Sequence, residues 1–255
     1  LTDPLYGYPA SIHLLPASTG VLLSREQTGY VGTNEGERRT RLLEDWSPAR
    51  MVREGADALK LLMYHHPEAS TESRQHEQDI VASVGEACED AGLPFILEVV
   101  TYPLGEAAED AAVQARKKPD LVVDAAQTFS EPRYQVDVLK LEFPANLKYV
   151  EEYLDAPFGQ GETVYDRATV EQACERLDQA AGVPWVILSS GVGIDEFVET
   201  LQFANAAGAS GFLCGRAVWK DIVDYAPDEA AMTRFMDEVG KPRVERPLGD
   251  GLVAE

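Results

Sequence analysis

Two charged residues lie inside an apolar segment in the second half of the chain. Lys140 and Glu142 interrupt the run VDVLKLEFP (136–144), which otherwise predicts a buried strand. Burying an ammonium or a carboxylate is costly unless the group is paired or takes part in chemistry. Because side chains two apart on a strand share a face, we expect Lys140 and Glu142 to point to the same side of a sheet.

Two other apolar segments carry charges near their carboxyl ends, namely Lys60 in ALKLLMY and Glu98 in FILEVVTY. Burial and a neighbouring ammonium both lower the pKa of a lysine, and the neutral amine can then attack a ketone to form a Schiff base. A carboxylate such as Glu98 would move the protons that this reaction needs. The alternative is a buried ion network in which Lys60 and Lys140 only pair with Glu98 and Glu142.

The last two apolar segments end in residues suited to an anion. LSSGV (188–192) offers Ser189 or Ser190 as a donor and Gly191 for close backbone approach; LCGRAVW (213–219) adds Gly215 and the fixed cation of Arg216. A local cluster of cations also suits an anionic substrate on a chain whose net charge is −22. The alternative is that the serines cap helices and Arg216 lies on the surface.

The elements that would position these residues alternate between strand and helix. Each helical pattern ends near a glycine, as at Gly92, Gly182 and Gly208. This alternation predicts an α/β protein with a parallel sheet in one domain. No glycine-rich phosphate loop follows an early strand, which argues against a nucleotide-binding open sheet. The six predicted strands are 19–26, 57–66, 94–102, 136–144, 184–191 and 211–218, and the stretches 102–120 and 154–166 are predicted as surface loops.

Composition narrows the class of protein further. The hydrophobic fraction of 45% indicates a globular chain, and no apolar run is long enough for a membrane span. The acidic surface should repel nucleic acid and anionic membranes, and three widely spaced cysteines fit a reducing cytoplasm without disulfides. His65, His66 and His76 lack a third ligand at useful spacing, so we expect no metal and no cofactor, and we expect the His65–His66 pair on the surface.

Several stretches resemble those of the class I tagatose-1,6-bisphosphate aldolases. They include DPLYGYPAS, TGVLLSREQTGY, WSPARMVREGADA, ADALKLLMY, PFILEVVTY, VDVLKLEFPANLKYVE, ILSSGV and GFLCGRAVW, in the order of the family. The resemblance implies a metal-independent enzyme with a (β/α)8 TIM barrel. It also implies Lys140 as the Schiff-base lysine, Glu98 as the acid/base group, Lys60 as a second active-site lysine, and Ser189 and Arg216 as phosphate ligands. Two further barrel strands precede DPLYG in that family, so we expect residues 1–255 to be a single barrel domain lacking its first two strands.

The resemblance predicts a lyase that cleaves a ketose 1,6-bisphosphate to dihydroxyacetone phosphate and glyceraldehyde 3-phosphate, and a homo-oligomer is expected. The stretches PWVILSSGV and GASGFLCGRAVW are similar to 6-deoxy-6-sulfofructose-1-phosphate aldolases as well. In that alternative a sulfonate replaces the distal phosphate and the second product is sulfolactaldehyde. A non-catalytic barrel that binds sugar phosphates is the second alternative.

Overall fold

A computed structural model of the chain describes residues 1–108 and 110–249. Six parallel strands form its main sheet in the order β1-β4-β5-β6-β7-β8, and β2 and β3 form a separate antiparallel hairpin. All six predicted strands are confirmed. Their bounds, with those of the hairpin, are β1 (Leu22–Ser24), β2 (Val31–Gly32), β3 (Arg38–Arg39), β4 (Ala58–His65), β5 (Phe95–Thr101), β6 (Val138–Leu141), β7 (Trp185–Leu188) and β8 (Phe212–Leu213).

From β4 to β8, each strand of the main sheet is followed by a helix along the chain. The α-helices are α1 (Gly7–Ser11), α2 (Pro48–Arg53), α3 (Thr71–Ala91), α4 (Ala111–Phe129), α5 (Arg167–Ala180), α6 (Ile194–Ala207), α7 (Arg216–Trp219), α8 (Glu229–Phe235) and α9 (Lys241–Gly249). Short 3₁₀ helices lie at Ile12–Leu14, Gly105–Ala108, Pro132–Tyr134, Leu147–Tyr149, Glu151–Tyr153 and Lys220–Tyr225, and a π-helix at Met236–Gly240 joins α8 to α9. In the described part of the chain, no helix is both long and apolar enough to cross a bilayer.

The strand order distinguishes two kinds of α/β fold. Doubly wound sheets reverse their strand order at a switch point, whereas here each parallel strand pairs with the next main-sheet strand in sequence. This singly wound order fits an α/β barrel. Within the described residues β1 and β8 are the outermost strands of the sheet, and only an isolated bridge from Thr2 pairs with the outer edge of β1. The predicted parallel α/β class is therefore confirmed, while the closed eight-stranded barrel stays a prediction.

Helix ends follow the sequence signals in most cases. The Ser70 hydroxyl accepts a hydrogen bond from the amide of Ser73 and so caps α3, and Gly92 ends α3 in the left-handed conformation with φ of 64°. Gly208 directly follows the last residue of α6, as the sequence predicts. By contrast, α5 already ends at Ala180, two residues before Gly182.

One predicted loop is wrong, because α4 occupies much of 102–120. The helix begins after Asp110, whose carboxylate accepts from two backbone amides, and it continues through a buried Pro119. Pro119 cannot donate a backbone hydrogen bond within this helix, so it is a residue that the helix tolerates and does not favour.

The two faces of the sheet differ in character. Leu61, Leu97 and Leu139 lie opposite one another in register and are fully buried on the face that packs against α3 and α4. Since side chains alternate along a strand, the neighbours Lys60, Glu98 and Lys140 point to the opposite face. The helix-covered face thus forms the apolar core, and the other face holds the charged residues.

Candidate active site

Strand register brings the three charged strand residues together. Glu98 of β5 lies directly opposite Lys140 of β6, and Leu62 of β4 lies opposite Glu98 on the other side. Lys60 precedes Leu62 by two residues, so its side chain shares that face. The sheet therefore places the two predicted lysines on opposite sides of the Glu98 carboxylate.

Ion pairs connect these side chains into a chain of charges. Lys140 Nζ lies 2.9 Å from Glu98 Oε1, and Lys60 Nζ lies 3.1 Å from Glu98 Oε2. All three residues are buried, with 5–8% of their surface exposed. The two ion pairs of Glu98 offset much of the free-energy cost of removing these three charges from water, so the strands tolerate charges that would otherwise destabilise the fold.

Glu26 is a fourth member of the cluster that sequence reasoning did not identify. Its carboxylate pairs with Lys60 Nζ through Oε1 and accepts the backbone amide of Leu62 at 3.1 Å through Oε2. Glu26 lies two residues beyond β1, which is the carboxyl end of the first apolar segment. Glu26 is also the last residue of the first predicted strand (19–26), and a charge near a strand's carboxyl end was the available signal.

The two lysines differ in their electrostatic surroundings. Burial lowers the pKa of Lys140 below its usual range; Glu98 opposes this shift, and the Lys60 ammonium reinforces it. Burial also acts on Lys60, but the carboxylates of Glu26 and Glu98 together outweigh it and raise the pKa of Lys60. Lys60 is thus held charged, while Lys140 is the lysine that loses its proton more readily.

Glu98 keeps its charge despite burial. Desolvation favours the protonated carboxyl, but the two ammonium groups of Lys60 and Lys140 outweigh it and lower the pKa of Glu98. A carboxylate that contacts a readily deprotonated amine can exchange protons with it and with a bound substrate.

A cavity of about 400 Å³ joins this cluster to the predicted anion-binding residues. Lys140 and Glu98 line one side of the cavity, and the residues after β7 and β8 line the other. The latter include Ser189, Ser190, Gly215 and Arg216. The structure thus places all but two of the predicted site residues around one space: Lys60 lies behind Glu98, and Gly191 lies against Arg216.

The loop after β7 is shaped for close approach. Gly191 has φ of 77°, a left-handed conformation that favours glycine, and a Cβ at this position would lie only 3.2 Å from Arg216 Cζ, so a larger residue would crowd the guanidinium. Ser190 also adopts a left-handed conformation, with φ of 47°. Lys220 Nζ donates to the Gly191 carbonyl at 3.2 Å, which brings a second cation to the loop.

Glu142 does not join the lysines, contrary to the expectation from its position two residues after Lys140. β6 ends at Leu141, and Glu142 Oε2 accepts hydrogen bonds from the backbone amide and the hydroxyl of Thr101, both at 2.7 Å. Its other oxygen lies 3.8 Å from Lys118 Nζ. The carboxylate therefore ties β5 to β6 beside the site.

The predicted surface position of the His65–His66 pair is wrong. Both residues are buried, and His65 bridges two carboxylates, with Nδ1 2.9 Å from Glu77 and Nε2 2.7 Å from Asp124. Burial lowers the pKa of His65, but these carboxylates outweigh it and raise that pKa to about 9. In residues 1–108 and 110–249 no group of three or more His, Cys, Asp or Glu side chains is arranged to hold a metal ion.

A readily deprotonated lysine beside a carboxylate, at the carboxyl ends of parallel strands, can form an imine with a ketone, and the imine can accept the electron pair of the bond between the α- and β-carbons when that bond breaks. Comparison with known proteins agrees with this chemistry. Residues 1–221 match the model of the DeoC/LacD family of aldolases, and the chain belongs to that family. It is therefore a member of a family of carbon–carbon lyases.

Individual relatives narrow the comparison. The chain is 38% identical to a tagatose 1,6-diphosphate aldolase of Streptococcus agalactiae serotype V, over 96% of this chain and 74% of that protein. It is 39% identical to a tagatose 1,6-diphosphate aldolase of Streptococcus pneumoniae serotype 4, over 92% and 71% of the two chains. A solved Schiff-base-forming fructose-1,6-bisphosphate aldolase shares the fold, with a TM-score of 0.54 at 18% identity over 88% of this chain and 72% of that one.

Proposed function

We propose that this protein is a Schiff-base aldolase that cleaves tagatose 1,6-bisphosphate to dihydroxyacetone phosphate and glyceraldehyde 3-phosphate. The observation that carries the proposal is the geometry of Lys140, 2.9 Å from a carboxylate that also holds Lys60. The names of the curated relatives support the choice of sugar.

In the first step the neutral amine of Lys140 attacks C2 of the open-chain ketose. Glu98 takes a proton from the Lys140 ammonium as the amine becomes neutral, and it returns this proton to the carbinolamine hydroxyl, which leaves as water; an iminium remains and Glu98 is again a carboxylate. The charged Lys60 favours this step because its positive charge helps keep Lys140 neutral before attack.

Cleavage then follows from the iminium. Glu98 takes the proton of the C4 hydroxyl, the C3–C4 bond breaks, and its electron pair moves into the iminium to give an enamine. The carbonyl fragment leaves as glyceraldehyde 3-phosphate. Protonation of the enamine at C3 and hydrolysis of the imine release dihydroxyacetone phosphate and restore Lys140.

The other wall of the cavity suits the phosphate on C1. Ser189 and Ser190 offer hydroxyl and amide donors, Gly191 and Gly215 leave the backbone open to an oxyanion, and Arg216 supplies a positive charge. Among the described residues, Arg216 forms no ion pair with a carboxylate, so its charge is free to meet a phosphate.

Cleavage rates for tagatose 1,6-bisphosphate, fructose 1,6-bisphosphate and 6-deoxy-6-sulfofructose 1-phosphate, measured side by side, test the proposal. The highest kcat/KM is expected for tagatose 1,6-bisphosphate. A preference for the sulfonated sugar would establish the first alternative, which the names of the curated relatives do not favour. Binding of all three sugars without turnover would establish the non-catalytic barrel.

Closure of the barrel is a further part of the proposal. Thr2 forms a parallel bridge with Leu23 along the outer edge of β1, with the Thr2 amide bonded to the Leu22 carbonyl at 3.0 Å. This edge can therefore accept a parallel strand, as a single eight-stranded barrel domain requires. The homo-oligomer, the cytoplasmic location and the absence of nucleic-acid partners stay predictions, and size-exclusion chromatography with light scattering tests the first of them.

A further inference from the structure

An arginine surrounded by tyrosines lies on the hairpin that follows β1. The Arg38 Cζ is 4.7 Å from the centroid of the Tyr30 ring, 5.4 Å from that of Tyr102 and 5.7 Å from that of Tyr64. The rings of Tyr30 and Tyr64 pack edge to face, with centroids 5.1 Å apart. Three aromatic rings thus fix the position of one guanidinium.

This guanidinium keeps its hydrogen-bonding capacity. Within the described ranges no carboxylate pairs with Arg38, and no side-chain hydrogen bond uses its nitrogens, although the neighbouring Arg39 pairs with Glu72 at 2.9 Å. Contacts with aromatic rings do not use the in-plane N–H donors. On a chain with a net charge of −22, a fixed cation without a carboxylate partner is suited to an anionic ligand.

The arginine lies near the catalytic face. Tyr64 follows Leu62 by two residues on β4 and shares its face, and Leu62 is the register partner of Glu98. The Tyr64 backbone therefore stands about 6–7 Å beyond Glu98 toward the carboxyl end of the sheet. Burial raises the pKa of Tyr64; Arg38 opposes this rise, and the carboxylates of Glu26 and Glu98 add to it.

Two cationic groups consequently flank the nucleophile. Arg216 follows β8 on one side of Lys140 in the strand order, and the tyrosines around Arg38 come from β4 and the end of β5 on the other side. A ketose bisphosphate bound as an imine through C2 has one phosphate close to the reacting carbon and the other at the far end of the sugar. The two cations lie on opposite sides of Lys140 in the strand order, as the two phosphates lie on opposite sides of C2 in the sugar.

We propose that Arg38, held by Tyr30, Tyr64 and Tyr102, binds the distal phosphate of the substrate and thereby selects ketose bisphosphates over ketose 1-phosphates. This inference rests on the proposed aldolase function. It also assigns a residue to the selection of the group at C6, a choice that the sequence motifs alone leave open.

Comparison of two substrates in one variant tests the proposal. For Arg38→Ala, kcat/KM for tagatose 1,6-bisphosphate should fall about 10- to 100-fold, because a charge-assisted contact is lost. The value for tagatose 1-phosphate, which lacks the distal group, should change less than about threefold. Arg38→Lys should recover part of the activity toward the bisphosphate, since it keeps the charge but not the planar fork.

Equal losses on both substrates would assign Arg38 a structural role, and no loss on the bisphosphate would remove it from the site; either result overturns the inference. Arg39→Ala is the matched control, because Arg39 is adjacent but pairs with Glu72, and it should leave the ratio of the two kcat/KM values unchanged. The unsubstituted protein reports separately on the proposed function: failure to cleave either sugar refutes the function, whereas cleavage with an unchanged ratio in Arg38→Ala refutes only the role of Arg38.

Discussion

Replacement of Lys60 by methionine should move the pH profile of Schiff-base formation to higher pH. The nitrogens of Lys60 and Lys140 bind the two oxygens of one carboxylate, so they lie within about 8 Å of each other; at an effective dielectric constant near 20, two like charges at that distance repel by about 2 kcal/mol. Loss of this repulsion favours protonation of Lys140 by roughly 30-fold. Glu98, freed from Lys60, would pair more strongly with Lys140 and act in the same direction.

The assay is the rate of borohydride trapping with dihydroxyacetone phosphate, measured from pH 6 to 10. Below the midpoints of both profiles, Lys60→Met should trap about 10- to 30-fold more slowly, and it should approach the rate of the unsubstituted protein at high pH. Lys60→Arg, which keeps a positive charge, is the matched control and should leave the midpoint nearly unchanged.

Two results would refute the reasoning. An unshifted midpoint in Lys60→Met would mean that Lys60 does not influence the proton affinity of Lys140. A loss of the same size at every pH would mean that Lys60 acts by positioning the substrate or by maintaining the fold, and not through its charge.

Three further predictions concern the surroundings of the site. Glu142→Gln should keep the rate of borohydride trapping within about threefold of normal but lower the free energy of unfolding by about 1–2 kcal/mol, because a neutral amide oxygen accepts weaker hydrogen bonds from Thr101 than a carboxylate does. A large loss of trapping would instead assign Glu142 to the active site. The pKa of His65 is raised from 6.5 to about 9, so its stabilisation is complete below pH 6.5 and disappears as the pH rises through 9. Urea unfolding of the protein and of His65→Gln should therefore differ by about 3 kcal/mol more at pH 6 than at pH 10, and a constant difference would contradict this. Gly85→Ala should destabilise α3 by about 1–3 kcal/mol, because its new Cβ would collide with the backbone carbonyl of Tyr134; Gly20→Ala, whose Cβ would meet its nearest neighbour at 3.8 Å, is the control, and equal melting temperatures would argue against the collision.

The sequence made the central residues predictable because charges in apolar strands are conspicuous. Lys60, Glu98 and Lys140 interrupt hydrophobic runs, and the strand register together with the alternation of side chains places them on one face. The loops after β7 and β8 were predictable for a similar reason, since serine, glycine and arginine at two consecutive strand ends suit an anion.

Residues outside the strands were harder to place. Glu26 follows β1 in a polar stretch, and its contact with Lys60 depends on the pairing of β1 with β4, which periodicity does not specify. Arg38 lies on a hairpin whose strands have two residues each, too short for a periodic pattern. Glu142 follows the last residue of β6, so strand alternation no longer determines the direction of its side chain.

The identity of the nucleophile is the central claim, and one mass measurement tests it most directly. The protein is incubated with dihydroxyacetone phosphate, reduced with borohydride, digested and mapped by peptide mass spectrometry. The reduced adduct is expected on Lys140, with no adduct in Lys140→Ala and an adduct still present on Lys140 in Arg38→Ala. An adduct on Lys60, or an undiminished adduct in Lys140→Ala, would contradict the account.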